Sequence, residues 1–130
     1  MKYHYHKDGI SPMADEIFVF GSNLAGVHGA GAARFALEQL GAVWGVSEGM
    51  TGKAYAIPTK DEFIQTLPLD RIENFVKRFI EHAKANSSTK FLMTRVGCVL
   101  AGWSDSDIAV MFRGAPTNID FPEQWKQFLE

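Results

Sequence analysis

Two side chains, Asn23 and His28, carry the chemistry of an otherwise small-residue stretch, Gly21-Ser22-Asn23-Leu24-Ala25-Gly26-Val27-His28-Gly29-Ala30-Gly31-Ala32-Ala33. A carboxamide both donates and accepts, so Asn23 suits a pair of vicinal sugar hydroxyls. It also tolerates the left-handed region, so the competing reading is a turn residue. As a ligand contact, its replacement by alanine is expected to weaken binding with little change in the thermal midpoint. His28 is open to two readings, lining a pocket or capping a turn. A lone histidine without a visible partner is poor ground for catalysis. Asn23 and His28 are nonetheless the candidates for orienting a water, and so the candidate catalytic residues. The glycines let backbone approach a ligand closely, because they accept positive φ and carry no Cβ. The N–H groups of Gly29, Ala30, Gly31 and Ala32, at the entry to a helix, suit a phosphate or diphosphate. Gly21 and Ser22 join them as candidate ligand-binding positions.

A second small-residue stretch, Gly97-Cys98-Val99-Leu100-Ala101-Gly102-Trp103, supplies the remaining binding candidates. Trp103 is flanked by Gly102 and Ser104, which favours stacking on a base or ribose over core packing. Cys98 is the chain's one cysteine. With no demonstrable His or acid partner, it reads as a small buried residue and not a nucleophile. Lys60-Asp61 follows a strand, where functional residues often sit, and reads equally as a solvated turn. His4 and His6 share one face of an alternating segment, but no third ligand lies near them, so no metal is expected. No cofactor is required either. The first loop lacks the Gly-Lys-Ser/Thr of a P-loop and the spacing of a dinucleotide-binding fingerprint.

The elements that must position these residues follow from periodicity. Lys2 to Lys7 alternates as a strand with Tyr3 and Tyr5 on one face. Ile17 to Phe20 is a short apolar run that suits a strand buried on both faces. Ala32 to Leu40 is a close-packed helix ended by Gly41. Gly41 to Gly52 is a glycine-rich loop with room for a short irregular strand. Ala54 to Ile57 forms a strand stopped by Pro58. Thr66 is the expected N-cap, with Pro68 just inside the helix. Ile72, Phe75, Val76, Phe79, Ile80 and Ala83 then make the clearest amphipathic helix. Phe91 to Val96 is a core strand, Ser104-Asp105 caps a further helix, and Asn118 to Phe121 is a short edge strand. Pro122 opens a last helix carrying Trp125, Phe128 and Leu129. Strand, loop and helix recur, which predicts a single α/β domain over residues 1–130 with a largely parallel sheet.

Composition narrows the function classes. The chain has 130 residues, 46% hydrophobic and 22% charged, with a formal net charge of −2. That balance is ordinary for a globular domain and gives no bulk electrostatic grip on nucleic acid. The start of the chain is too polar for a signal peptide, and no apolar run approaches membrane-spanning length. The expected location is the cytoplasm, with no membrane partner and no nucleic-acid partner.

Asp15-Glu16-Ile17-Phe18-Val19-Phe20-Gly21-Ser22-Asn23 resembles the core strand of macrodomains, commonly Val-Asp-Val-Ile-Val-Asn-Ala-Ala-Asn. In viral members the last Asn is followed, after four residues, by His-Gly-Gly-Gly and an alanine-rich helix. Asn23, then His28-Gly29-Ala30-Gly31 and Ala32-Ala33, keep that spacing. Gly97 to Trp103 sits where the family has a second phosphate loop, Ser-x-Gly-Ile-Phe/Tyr-Gly. Val99 stands where that pattern has Gly, and Ala101 where it has an aromatic. Lys7-Asp8-Gly9-Ile10-Ser11 is similar to the upstream Gly-Asp-Ile-Thr, whose Asp contacts adenine. The resemblance touches most of the chain and is specific at residues 15–37. It implies a three-layer α/β/α macrodomain-like fold that binds ADP-ribose or a related small nucleotide ligand. Asn23 would hold the distal ribose, the first loop and helix entry the diphosphate, Gly97 to Trp103 the same phosphates, and Asp8 the adenine. It also implies two reactions, hydrolysis of an ADP-ribosyl bond or of ADP-ribose 1″-phosphate. The alternative is a non-catalytic module that reads or sequesters a nucleotide-derived signal.

Overall fold

The computed structural model describes residues 3–130, so Met1 and Lys2, the second of which opens the expected first strand, lie outside the described residues. Six strands form one sheet: β1 (His4–His6), β2 (Glu16–Asn23), β3 (Gly49–Thr51), β4 (Ala54–Lys60), β5 (Lys90–Met93) and β6 (Ile119–Pro122). Their spatial order is β1-β6-β5-β2-β4-β3, and every pairing is parallel except β3 with β4. The helices are α1 (Gly31–Gln39), α2 (Leu69–Ala85), α3 (Asp105–Ala109) and α4 (Lys126–Leu129), with one-turn 3-10 segments at Val110–Phe112 and Glu123–Trp125. This is the expected three-layer α/β/α arrangement around a mostly parallel sheet.

Alternation along β2 builds both outer layers. Phe18 and Phe20 point to one face, where Ala54, Ala56 and Leu92 meet Ala33 and Ala36 of α1. The small side chains let that helix lie close to the sheet. Val19 points to the other face, into a larger core of Tyr55, Ile57, Phe91 and Met93 under the α2 stripe of Ile72, Phe75, Val76, Phe79 and Ala83. Each of the large side chains buried here contributes about 1.5–3 kcal/mol by leaving water. Fully buried Trp125 stacks on Phe112 at 5.4 Å and closes the far end of this core.

Several local features differ from the sequence pattern. Pro58 does not stop its strand, because β3 has already ended opposite Ala56 and the β2–β4 register shifts between Ser22 and Asn23. Proline is tolerated at such an irregularity, where ladder bonds lapse. Thr66 is not an N-cap, since Pro68 holds that position and the Thr66 hydroxyl donates to the Ala101 carbonyl at 2.6 Å. The strand at Phe91 ends at Met93, two residues after which Arg95 turns to a partner on α3. The segment 118–121 is not an edge, because β6 lies between β1 and β5. Ser104 is a true N-cap, with a capping box to Asp107. Among the described residues no helix is long and apolar enough to cross a membrane.

Connectivity fixes where the sheet opens a crevice. From β2 the chain runs through α1 on one face to β4. From β4 it runs through α2 on the opposite face, past β2, to β5. The loops leaving the adjacent strands β2 and β5 therefore part in opposite directions, opening a crevice at their carboxyl ends. That is the switch point where open α/β sheets bind ligands.

Candidate ligand crevice between two loops

A cavity of about 550 Å³ occupies this switch point, a size that suits a small-molecule ligand. Its floor is apolar, with Phe18, Phe35 and Leu92. One wall is the β2–α1 loop with the entry to α1, and the other is the loop after β5. Of the sequence candidates, Asp8, Gly21, Ser22, Asn23, Gly29, Ala30, Gly31, Ala32, Gly97, Cys98, Val99, Leu100 and Ala101 all line it. The two loops do meet: a Cβ added at Gly31 would lie 2.9 Å from Leu100 Cδ1.

The first wall is braced from within. Asn23 is buried, its Oδ1 accepting the Val27 N–H at 3.0 Å and its Nδ2 donating to the Val27 carbonyl at 2.7 Å. Both ends of the amide thus hold the loop's own backbone in a closed turn. Outside it packs the segment 42–47. The Gly45 N–H donates to the Gly26 carbonyl at 2.8 Å, and the Ser22 hydroxyl donates to the Ser47 carbonyl. Gly26 adopts φ +70°, and a Cβ there would fall 2.4 Å from the Gly45 carbonyl carbon. Glycine is required at this crossing on both counts.

His28 does not reach the cavity. Its ring is fully buried, edge-on to Phe20 at 5.4 Å and to Trp44 at 6.3 Å. Nε2 lies 3.1 Å from the Val43 carbonyl, to which only a protonated Nε2 can donate, and Nδ1 has no partner among the described residues. Local sequence could not set this orientation, because the segment that covers the ring lies fifteen residues downstream. Gly102 and Trp103 also lie off the cavity lining. Instead of standing free to stack, Trp103 packs against the main core and donates from Nε1 to the Leu67 carbonyl at 3.0 Å.

The entry to α1 opens onto the cavity without a cap. Ala30 is the extended N-cap residue, no side chain bonds the end of the helix, and no acid occupies its first turn. The first N–H groups of a helix have no intrahelical partner and carry the positive end of its dipole. Here they face residues 97–101 across the crevice.

Of the charged lining, Asp8 and the Lys60 position stood out in the sequence, and Arg95 did not. Arg95 and Lys60 contribute cations, and Asp8 a carboxylate. Arg95 donates through Nε and Nη2 to the two carboxylate oxygens of Asp105 at 2.9 and 2.6 Å, and Trp125 Nε1 donates to the same carboxylate at 2.7 Å. Its Nη1 stands 3.7 Å from Asp8 Oδ2. The hydrogen bonds to Asp105 hold the guanidinium above its ordinary range, and those from Arg95 hold the Asp105 carboxyl below its own. A charged residue two positions beyond an apolar strand was the available signal for Arg95. Cys98 is buried, and desolvation with the nearby Asp105 charge pushes its thiol up to about 12. A thiol held protonated is a poor nucleophile. The two amino-terminal histidines part company, with His4 exposed and His6 Nδ1 2.7 Å from Asp120 Oδ1. No group of three or more potential metal ligands occurs among the described residues.

No protein-family model matches the chain, and no curated protein matches it by sequence. A solved structure from Bacteroides thetaiotaomicron, described as a protein of unknown function, is similar with a TM-score of 0.65 and 15% identity over 94% of this chain and 98% of that one. At that identity the likeness speaks to the fold.

Proposed function

We propose that the chain binds ADP-ribose, or a closely related nucleoside diphosphate, in the crevice between residues 21–33 and 97–101. One observation carries the reading: the uncapped entry of α1 and the glycine-bearing loop after β5 face each other across one cavity. Opposed backbone N–H groups at a helix entry suit a diphosphate, and Lys60 adds positive charge along the same lining, where the Arg95 charge is matched by Asp105. In this reading the base lies toward Asp8, the diphosphate lies along Gly29 to Ala32, and the terminal ribose reaches the Asn23 end.

The non-catalytic alternative gains from the same geometry. The two side chains expected to orient a water are occupied, Asn23 on Val27 and His28 under Trp44. We therefore favour a module that reads or sequesters its ligand over an ADP-ribosyl or 1″-phosphate hydrolase. Calorimetric titration with ADP-ribose, AMP and NAD tests binding. An assay for released ADP-ribose or phosphate separates module from enzyme, and turnover would overturn the module.

A further inference from the structure

One residue of the crevice has a backbone conformation that its own type disfavours. Ile64 has φ +64°, the only non-glycine positive φ among the described residues. A β-branched side chain in this region is a genuine outlier. Burial does not compensate, since Ile64 is 45% exposed and lies on the cavity lining. Instead the turn is over-determined around it. Asp61 Oδ1 accepts the N–H groups of Phe63 and Gln65 at 2.8 and 2.9 Å, and the Ile64 N–H donates to the Asp61 carbonyl at 3.1 Å. Strain held in this way at a ligand crevice points to a function for the side chain.

Its position suggests which function. The Leu24 N–H donates to the Lys60 carbonyl at 2.9 Å, and Asn23 pairs in register with Lys60, so the Asp61 turn leaves the sheet beside Asn23. Asp8 and Arg95 lie toward the β5 side of the same cavity. The turn is also tied to the second loop by the Thr66 hydroxyl on the Ala101 carbonyl at 2.6 Å. Ile64 therefore lines the cavity beside Asn23, while Leu100 of the second loop lines it against Gly31.

We propose that Ile64 recognises the terminal sugar of a nucleoside diphosphate sugar, packing its branched side chain on the sugar's C–H face. This rests on the nucleotide reading above. It assigns the chain a preference for a diphosphate that carries a second sugar over one that ends at the phosphate.

The test is calorimetry with ADP-ribose and ADP on the wild-type protein and on Ile64→Asn, whose side chain tolerates the left-handed region. Wild type should bind ADP-ribose more tightly than ADP. The variant should lose about fivefold for ADP-ribose, equivalent to about 1 kcal/mol, and hold ADP as wild type does. Its thermal midpoint should be equal or higher, because strain is relieved. Equal losses for both ligands, no loss for either, or equal wild-type affinities would overturn the assignment to Ile64 and leave nucleotide binding intact. Wild type taking up neither ligand would instead sink the nucleotide reading, and this inference with it. Ile64→Gly serves as the second variant. A midpoint lowered in both would mean that the side chain is kept for packing, which also overturns the inference.

Discussion

Replacing Asn23 by alanine separates a ligand contact from a loop brace. The amide makes two hydrogen bonds to the backbone of Val27, at 2.7 and 3.0 Å, from a buried position. Each such bond contributes about 0.5–1.5 kcal/mol net, so the pair contributes roughly 1–3 kcal/mol. For a chain of 130 residues, an unfolding entropy of about 2.1 cal/mol/K per residue converts this to a fall of roughly 4–11 °C in the thermal midpoint. A fall of that size belongs to the turn reading of Asn23, whereas the ligand reading leaves the midpoint nearly unchanged. Asn23→Asp sharpens the experiment. It keeps an acceptor for the Val27 N–H but sets a carboxylate against the Val27 carbonyl, so it too should lower the midpoint. The assay is a calorimetric or circular-dichroism melt of the three proteins under one buffer condition. A shift of less than about 1 °C for Asn23→Ala would refute the brace and return the amide to the ligand.

Two further substitutions test how the walls of the crevice are held. Gly26→Ala combines a left-handed backbone with a Cβ only 2.4 Å from the Gly45 carbonyl carbon. It should cost about 3–5 kcal/mol in urea denaturation, and a near-neutral result would mean that the segment 42–47 does not lie against the loop. Asp105→Asn should cost about 1.5–3 kcal/mol at neutral pH, where the charged hydrogen bonds with Arg95 are complete. The carboxyl is lowered from 3.8 in the fold, so its contribution is in place above that value and is lost as pH falls through the lower folded one. The stability gap between the two proteins should therefore close only in strong acid, and a gap that closes near pH 6 would contradict the ion pair.

What was legible in the sequence was what short-range pattern controls. Ile17 to Phe20, the α2 stripe from Ile72 to Ala83, and the Ser104 cap each form as expected, because side-chain period and capping chemistry act within a few residues. That both loops leave the carboxyl ends of parallel strands was legible too, but that they meet, Gly31 against Leu100, was not. What escaped depends on distant partners. Nothing near Ile119 says that β1 will pair outside it, nothing near Thr66 announces the Ala101 carbonyl, and Arg95 is fixed by Asp105 and Trp125. The outward look of Trp103 misled for the same reason, because its partner, the Leu67 carbonyl, lies 36 residues earlier. Ile64 gave no signal, since a strained backbone is invisible in residue type.

As proposed, the crevice holds a nucleoside diphosphate between the α1 entry and the loop after β5. Isothermal titration of the intact chain with ADP-ribose tests it most directly. Saturable binding of one ligand per chain is expected, in the micromolar range that corresponds to about −8 kcal/mol. No measurable heat at millimolar ADP-ribose, from protein whose melt shows it folded, would contradict it.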